Sequence, residues 1–187
     1  MTFPVTVGQL SVWRDLEKLP PDRLWEANLA FVWDLPPGTW TAEEVWAALA
    51  ALAIRHASLR TTYVVGADGL PRQRIAVETA GAVLDDVRQG TADVSEREAM
   101  EAGRLQEAID VTARLPWRAW ILTTDGAPAQ VLLVINHMAV DGIASVLLRE
   151  DFGTILGGTA LPPAPGPLEL ALDQQGAGRP RLRNAER

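Results

Sequence analysis

The sequence contains no cysteine and only two histidines, His56 and His137, among its 187 residues. The lack of cysteine excludes disulfides, thiol nucleophiles and cysteine metal sites. Two histidines far apart in the sequence do not form a metal-binding cluster. The chain also lacks a glycine-rich phosphate loop, because Gly66 and Gly69 fit a hairpin turn instead. We therefore expect neither a metal nor a cofactor bound by the chain itself.

Long apolar runs are missing as well. No stretch approaches the ~20 apolar residues that a membrane-spanning helix needs. The first 20 positions mix Arg14, Asp15, Glu17 and Lys18 into the apolar pattern, which a signal peptide does not tolerate. These absences predict a protein without a membrane segment, with a cytoplasmic location by default. The net charge of −7 argues against nucleic acid as a partner.

The residues that are present predict an α/β chain. The apolar fraction of 48% and the length suit one globular domain with a real core. Helical periodicity and capping residues predict helices over 8–19, after Thr41, from 93 to about 109, and from 142 to 158. Alternation and apolar runs predict strands over 26–35, 59–65, 73–77, 117–124 and 130–135. Helices interleaved with strands indicate an α/β two-layer sandwich.

A change of composition divides the chain near residue 158. The prolines and glycines that follow it predict a linker, and the tail beyond is polar and basic. We therefore predict one folded unit over residues 1–158 and a linker with a tail over residues 159–187.

The segment from Asn136 to Gly142 holds the main candidate for chemistry. It follows a buried strand and precedes a helix, which places His137 at a strand end, where α/β sheets bind ligands. A histidine with an ordinary pKa of about 6.5 suits proton transfer near pH 7. The alternative is a buried histidine with a structural role. His56 lies on an apolar helix face and is predicted to be structural.

Asp141 has two interpretations. It could cap the following helix by accepting amide protons, or it could pair with Arg60 and fix the loop that carries His137. Gly142 would let backbone or ligand approach the helix start closely. Among the tryptophans, Trp33 and Trp46 are predicted to pack in the core.

Three segments in order resemble the motifs of one family, the condensation domains of nonribosomal peptide synthetases. Thr6 to Trp13 resembles the S-x-A-Q-x-R-x-W motif, and Arg55 to Tyr63 is similar to R-H-E-x-L-R-T-x-F. Asn136 to Gly142 resembles the active-site motif H-H-x-x-x-D-G, with Asn136 in place of the first histidine. The resemblance covers nearly the whole chain.

The resemblance implies a chloramphenicol acetyltransferase-like lobe, with a mixed sheet and helices on one face. In this family two such lobes face each other across a tunnel, to which acyl or peptidyl carrier proteins deliver a donor thioester and an acceptor amine on phosphopantetheine arms. His137 would be the histidine linked to catalysis. Asp141 and Arg60 would form the supporting salt bridge, and Asn136 would keep a structural role.

The family motifs of the second lobe are missing from this chain, so residues 1–158 are expected to be an N-terminal lobe that works with a C-terminal one. The 187 residues alone should then show little condensation activity. Two other functions fit the residues. One is a noncatalytic module that binds carrier proteins or recruits tailoring enzymes. The other is a standalone acyltransferase that acts on a free alcohol or amine.

Overall fold

The computed structural model describes residues 1–162 and 164–176. The strands in this part of the chain are β1 (Phe3–Pro4), β2 (Asn28–Asp34), β3 (Thr61–Val65), β4 (Pro71–Ile75), β5 (Arg88–Asp93), β6 (Trp117–Thr124) and β7 (Ala127–Asn136). The helices are α1 (Val7–Leu16), α2 (Ala42–Arg55), α3 (Ala80–Val87), α4 (Arg97–Leu105), α5 (Gly142–Leu156) and α6 (Pro167–Gly176). Short 3₁₀ turns lie at Pro21–Ala27, Ala57–Arg60 and Val94–Glu96.

A four-stranded mixed sheet forms the centre of the molecule. Its order is β2-β7-β6-β5, and only the β5–β6 pair is parallel. A smaller antiparallel sheet has the order β1-β4-β3. Asn136 ends β7 opposite Asn28, the first residue of β2. The loop that carries His137 therefore leaves the sheet at the end of a central strand.

Both faces of β7 are buried, which explains its continuous apolar run. Val131, Leu133 and Ile135 belong to one core cluster, and Leu132 and Val134 belong to the other. The first cluster includes residues of α2 and α5, and it contains the predicted core residues Trp33 and Trp46. The second cluster includes Trp13 of α1, Tyr63 of β3 and, at its edge, Met100 of α4. The predicted α/β fold class, with a mixed sheet and packed helices, is confirmed. Helices α1 and α4 add contacts on the second face of the sheet.

The capping box predicted at Thr41 is present. The Thr41 hydroxyl accepts a hydrogen bond from the Glu44 amide at 3.2 Å, and the Glu44 carboxylate accepts one from the Thr41 amide at 2.8 Å. The Thr41 hydroxyl also donates to the Glu44 carboxylate at 2.8 Å, and the hydrogen bonds from the Thr41 amide and hydroxyl lower the pKa of Glu44. The capping box predicted at Asp93 opens a 3₁₀ turn before α4, which ends at Leu105 and not near residue 109.

Helix α6 lies inside the segment predicted as linker and tail. Its Ala171 is buried, and Gln174 accepts a hydrogen bond from the Val7 amide at 2.8 Å. Residues 167–176 are therefore helical and contact the start of the chain. Residue 163 and residues 177–187 of the predicted linker and tail lie outside the described residues.

Candidate functional site

His137 lies in the β7–α5 loop with an exposed side chain. Its backbone amide donates to the Ala27 carbonyl at 2.7 Å, and its ring Nδ1 lies 2.8 Å from the Val140 carbonyl oxygen. Because a carbonyl only accepts, Nδ1 carries the proton in this hydrogen bond. In the neutral ring, Nε2 is then the basic nitrogen and can accept a proton from a bound molecule.

The residue after His137 is held by side chains from three parts of the chain. The Met138 carbonyl accepts from the Tyr63 hydroxyl at 2.9 Å and from Gln9 Nε2 at 3.3 Å. The Met138 amide donates to Asn136 Oδ1 at 3.0 Å. Gln9 Nε2 also donates to the Tyr63 hydroxyl at 3.0 Å. The three segments singled out in the sequence therefore meet at the Met138 peptide groups.

The four residues of this arrangement are all buried: Gln9, Tyr63, Asn136 and Met138. Burial raises the pKa of Tyr63, and the hydrogen bond from Gln9 only partly offsets this effect. The phenol therefore stays protonated and remains a donor across the physiological pH range.

Asn136 is 1% exposed, so it belongs to the interior and not to the open part of the site. Its amide donates to the Pro116 carbonyl at 2.7 Å, and its own carbonyl accepts from the Ala139 amide at 2.9 Å. With Oδ1 bound to the Met138 amide, both the backbone and the side chain of Asn136 shape the loop. The structural role expected for Asn136 stays a prediction, and these hydrogen bonds support it.

A cleft of about 240 Å³ opens beside His137. Its walls include Gln9 and Val12 from α1 and Leu170 from α6. Ser58 and Asp141 also line it. A second cleft of about 360 Å³ lies between the end of α1 and residues 108–112. The larger cleft touches Asn136 but not His137, so we assign the candidate site to the smaller one.

The predicted salt bridge between Asp141 and Arg60 is not formed. Asp141 is exposed and caps α5, with Oδ1 accepting from the Ala144 amide at 2.7 Å. The sequence pattern predicted Arg60 on a strand, but it lies in the 3₁₀ turn after α2.

The Arg60 guanidinium donates to three backbone carbonyls instead, those of Ala53, Ile54 and Val77, at 2.9–3.1 Å. Two of them belong to the last turn of α2, whose carbonyls have no partner within the helix. Arg60 therefore caps that helix, and the pairing with Asp141 is corrected accordingly.

No backbone of the described residues approaches Gly142 closely, and the approach of a ligand there stays a prediction. A Cβ at this position would meet no described atom within 4 Å. Gly142 is simply the exposed first residue of α5.

The sequence did not indicate a polar cluster that joins α2 to α5. Asp151 Oδ2 lies 2.9 Å from Arg55 Nε and 2.6 Å from His56 Nε2. Burial lowers the pKa of His56, and the hydrogen bond with Asp151 offsets only part of this effect. Burial alone would raise the pKa of Asp151, but the hydrogen bonds from Arg55 and His56 outweigh it and lower that pKa. His56 is structural, as predicted.

Within residues 1–162 and 164–176, no group of three or more His, Asp or Glu side chains could hold a metal ion. None of the helices in the described part of the chain has the length and apolar character needed to cross a membrane.

The chain is similar to several nonribosomal peptide synthetases. It is 32% identical over 160 residues to cyclosporin synthetase from Tolypocladium inflatum, a match that covers 79% of this chain and 1% of that protein. It is 31% identical over 115 residues to surfactin synthase subunit 1 from Bacillus subtilis, covering 60% of this chain and 3% of that protein. The chain therefore spans only a few per cent of the length of these relatives. No family model matches it.

Solved condensation domains have the same fold. The starter condensation domain of rhizomide synthetase superposes with a TM-score of 0.76 at 17% identity, covering 99% of this chain and 48% of that one. A condensation domain that mediates chain release from the enacyloxin polyketide synthase superposes with a TM-score of 0.75 at 24% identity. This match covers 98% of this chain and 36% of that one. Together with the synthetase homologues, this fold confirms the resemblance to nonribosomal peptide synthetase condensation domains.

Proposed function

We propose that this chain supplies the His137 side of a condensation site in nonribosomal peptide biosynthesis. A longer protein that contains it would join a carrier-bound acyl thioester to a carrier-bound amine. The observation that carries the proposal is the geometry of His137. Its Nδ1 is bound to the Val140 carbonyl, and the exposed ring borders a cleft of about 240 Å³.

The reaction requires one proton to move as one bond forms and another breaks. The amine nitrogen attacks the thioester carbonyl, and His137 Nε2 accepts the proton that the nitrogen loses. The tetrahedral intermediate then collapses, the C–S bond breaks, and the proton passes to the departing thiolate. The products are an amide and a free phosphopantetheine thiol, with no external oxidant or reductant.

Most of the rate enhancement comes from holding the two reactants together. Positioning of two reactants supplies roughly 7–11 kcal/mol, whereas a general base contributes about 10²–10⁴-fold, or roughly 2.7–5.5 kcal/mol. One hydrogen bond to the oxyanion contributes roughly 2.7–4 kcal/mol. Since the last two ranges overlap, the loss of His137 alone cannot separate the role of base from that of oxyanion donor.

Positioning, the largest of these contributions, needs both lobes that form the walls of the site. We therefore propose that the partners are acyl or peptidyl carrier proteins and a C-terminal lobe, and that the enzyme works in the cytoplasm. The phosphopantetheine would be carried by the partners and not by this chain. Residues 1–187 alone should have little or no condensation activity.

Carrier proteins loaded with an acyl thioester and an aminoacyl thioester test this function. The longer protein should form the amide on the acceptor carrier, detected by mass spectrometry, and the 187-residue chain should not. The same amine offered free in solution is the matched control. Robust product formation by the short chain, or equal use of the free amine, would contradict the proposal.

A noncatalytic binding module is the second candidate, and an exposed apolar face of α5 favours it. Ile143, Val146 and Leu147 are 79%, 56% and 55% exposed, which is unusual for neighbouring apolar residues on one helix. If binding is the function, His137→Ala leaves product formation intact and Val146→Asp abolishes it. The opposite pattern supports the condensation site.

A further inference from the structure

Both polar groups of the Met138 backbone are bound by side chains, next to the residue proposed to act on substrate. The carbonyl accepts from Tyr63 and Gln9, and the amide donates to Asn136 Oδ1. We call Gln9, Tyr63 and Asn136 the Met138 clamp. These side chains come from α1, β3 and the end of β7, so the clamp joins distant parts of the fold at one residue.

We infer that the Met138 clamp is a positioning device for His137, with Tyr63 as its central member. This inference rests on the condensation function proposed above. The clamp binds the Met138 backbone, whereas the His137 ring is hydrogen-bonded to the Val140 carbonyl. It acts by fixing the backbone from which the His137 side chain projects.

The loop is packed through the side chains of Met138, Ala139 and Val140, which are buried in the two core clusters. The Met138 clamp adds directional hydrogen bonds that fix the orientation of the loop backbone. The His137 amide is bound to Ala27, and the ring is bound to Val140 within the same loop. A ring held only by its own loop moves with that loop. The hydrogen bonds at Met138 tie the loop to β3 and α1, which are packed into the core through Tyr63 and Trp13.

Tyr63 and Asn136 are also two positions where the chain differs from the family motifs. The motifs have phenylalanine and histidine there, and phenylalanine has no hydroxyl to donate. In this chain both residues bind the backbone of Met138. Tyr63 binds its carbonyl, and Asn136 binds its amide. We therefore expect the two side chains to act together and not independently.

The two histidines of the sequence allow a direct test, since each gives one imidazole Cε1–H signal in the NMR spectrum of the 187-residue chain. Tyr63→Phe removes the hydroxyl and keeps the ring. The matched control is Thr61→Val on the same strand, which removes a buried hydroxyl that donates to the Ala57 carbonyl at 2.7 Å. His56→Gln and His137→Gln assign the two signals.

The Tyr63→Phe spectrum should show the His137 signal shifted or broadened and the His56 signal unchanged. The control should leave the His137 signal as it is. In the longer protein, kcat should fall roughly 10- to 100-fold in Tyr63→Phe, as expected for a misplaced catalytic group, with KM for the loaded carriers unchanged. Asn136→Ala should lower kcat by a smaller factor in the Tyr63→Phe variant than in the wild type.

A His137 signal in Tyr63→Phe that matches the one in Thr61→Val would overturn the inference, whatever the activity. This spectrum needs no substrate, so it separates the clamp from the condensation function. If the longer protein forms no amide at all, the proposed function fails while the His137 signal still reports on the clamp.

Discussion

Replacing Asp151 with asparagine removes the carboxylate that joins α2 to α5. Asp151 Oδ2 lies within hydrogen-bond distance of both Arg55 Nε and His56 Nε2. The side chains are 16% exposed for Arg55 and His56 and 21% exposed for Asp151, so the cluster is neither fully buried nor on the surface. Asp151→Asn keeps the size of the side chain and removes the negative charge that pairs with Arg55.

The expected cost lies between two measured limits. Two unit charges about 4 Å apart attract by roughly 4 kcal/mol in a partly screened environment, but desolvation takes back much of this gain. Exposed pairs contribute about 0–1 kcal/mol, and breaking a buried pair costs about 3–5 kcal/mol. For this half-buried cluster we expect the free energy of unfolding to fall by about 1–3 kcal/mol.

Urea unfolding of the 187-residue chain, followed by tryptophan fluorescence, measures this cost. Glu150→Gln is the matched control, because it removes the same charge from the neighbouring, exposed position of α5. The control should change the free energy of unfolding by less than about 0.5 kcal/mol. Equal losses in the two variants would refute the conclusion that this cluster stabilises the α2–α5 contact.

Two further predictions concern stability. Because burial lowers the pKa of His56 below its value in the unfolded chain, the unfolded state binds the proton more tightly, so the free energy of unfolding should fall as the pH drops from 7.5 to 5.5. Urea unfolding across this range should show a flatter dependence in His56→Gln, and an unchanged slope would contradict the reasoning. Thr41→Ala should lower the free energy of unfolding by about 1 kcal/mol, because it removes the hydroxyl that caps α2. Thr41→Ser should restore most of that loss, and equal stability of the two variants would argue against the cap.

The sequence predicted those elements whose local pattern and tertiary burial agree. The continuous apolar run of β7 gave a buried central strand, and Thr41 with Glu44 gave the start of α2. Strand β5 was not predicted, because Arg88–Asp93 is polar and lies at the edge of the sheet, where only one neighbour binds it. Helix α6 follows a proline-rich stretch, and its packing on β1 is a long-range contact without a local signal.

The candidate site was predictable in composition but not in pairing. The three segments that resemble condensation motifs do meet, at Met138, yet no periodicity could have indicated that Gln9 and Tyr63 bind the same carbonyl. The predicted pairing of Arg60 with Asp141 was wrong because Arg60 lies in a 3₁₀ turn, beside the carbonyls at the end of α2 that it binds instead. Asp151 was missed since its partners, Arg55 and His56, are about 95 positions away in the sequence.

We propose above that this lobe supplies the histidine of a condensation site. The most direct measurement is the single-turnover rate of amide formation by the longer protein, with both carriers loaded, for the wild type and for His137→Ala. We expect His137→Ala to lower this rate about 10²–10⁴-fold, with carrier binding and the unfolding midpoint unchanged. A His137→Ala rate within about twofold of the wild type would contradict this expectation, because a general base at this position contributes far more than that.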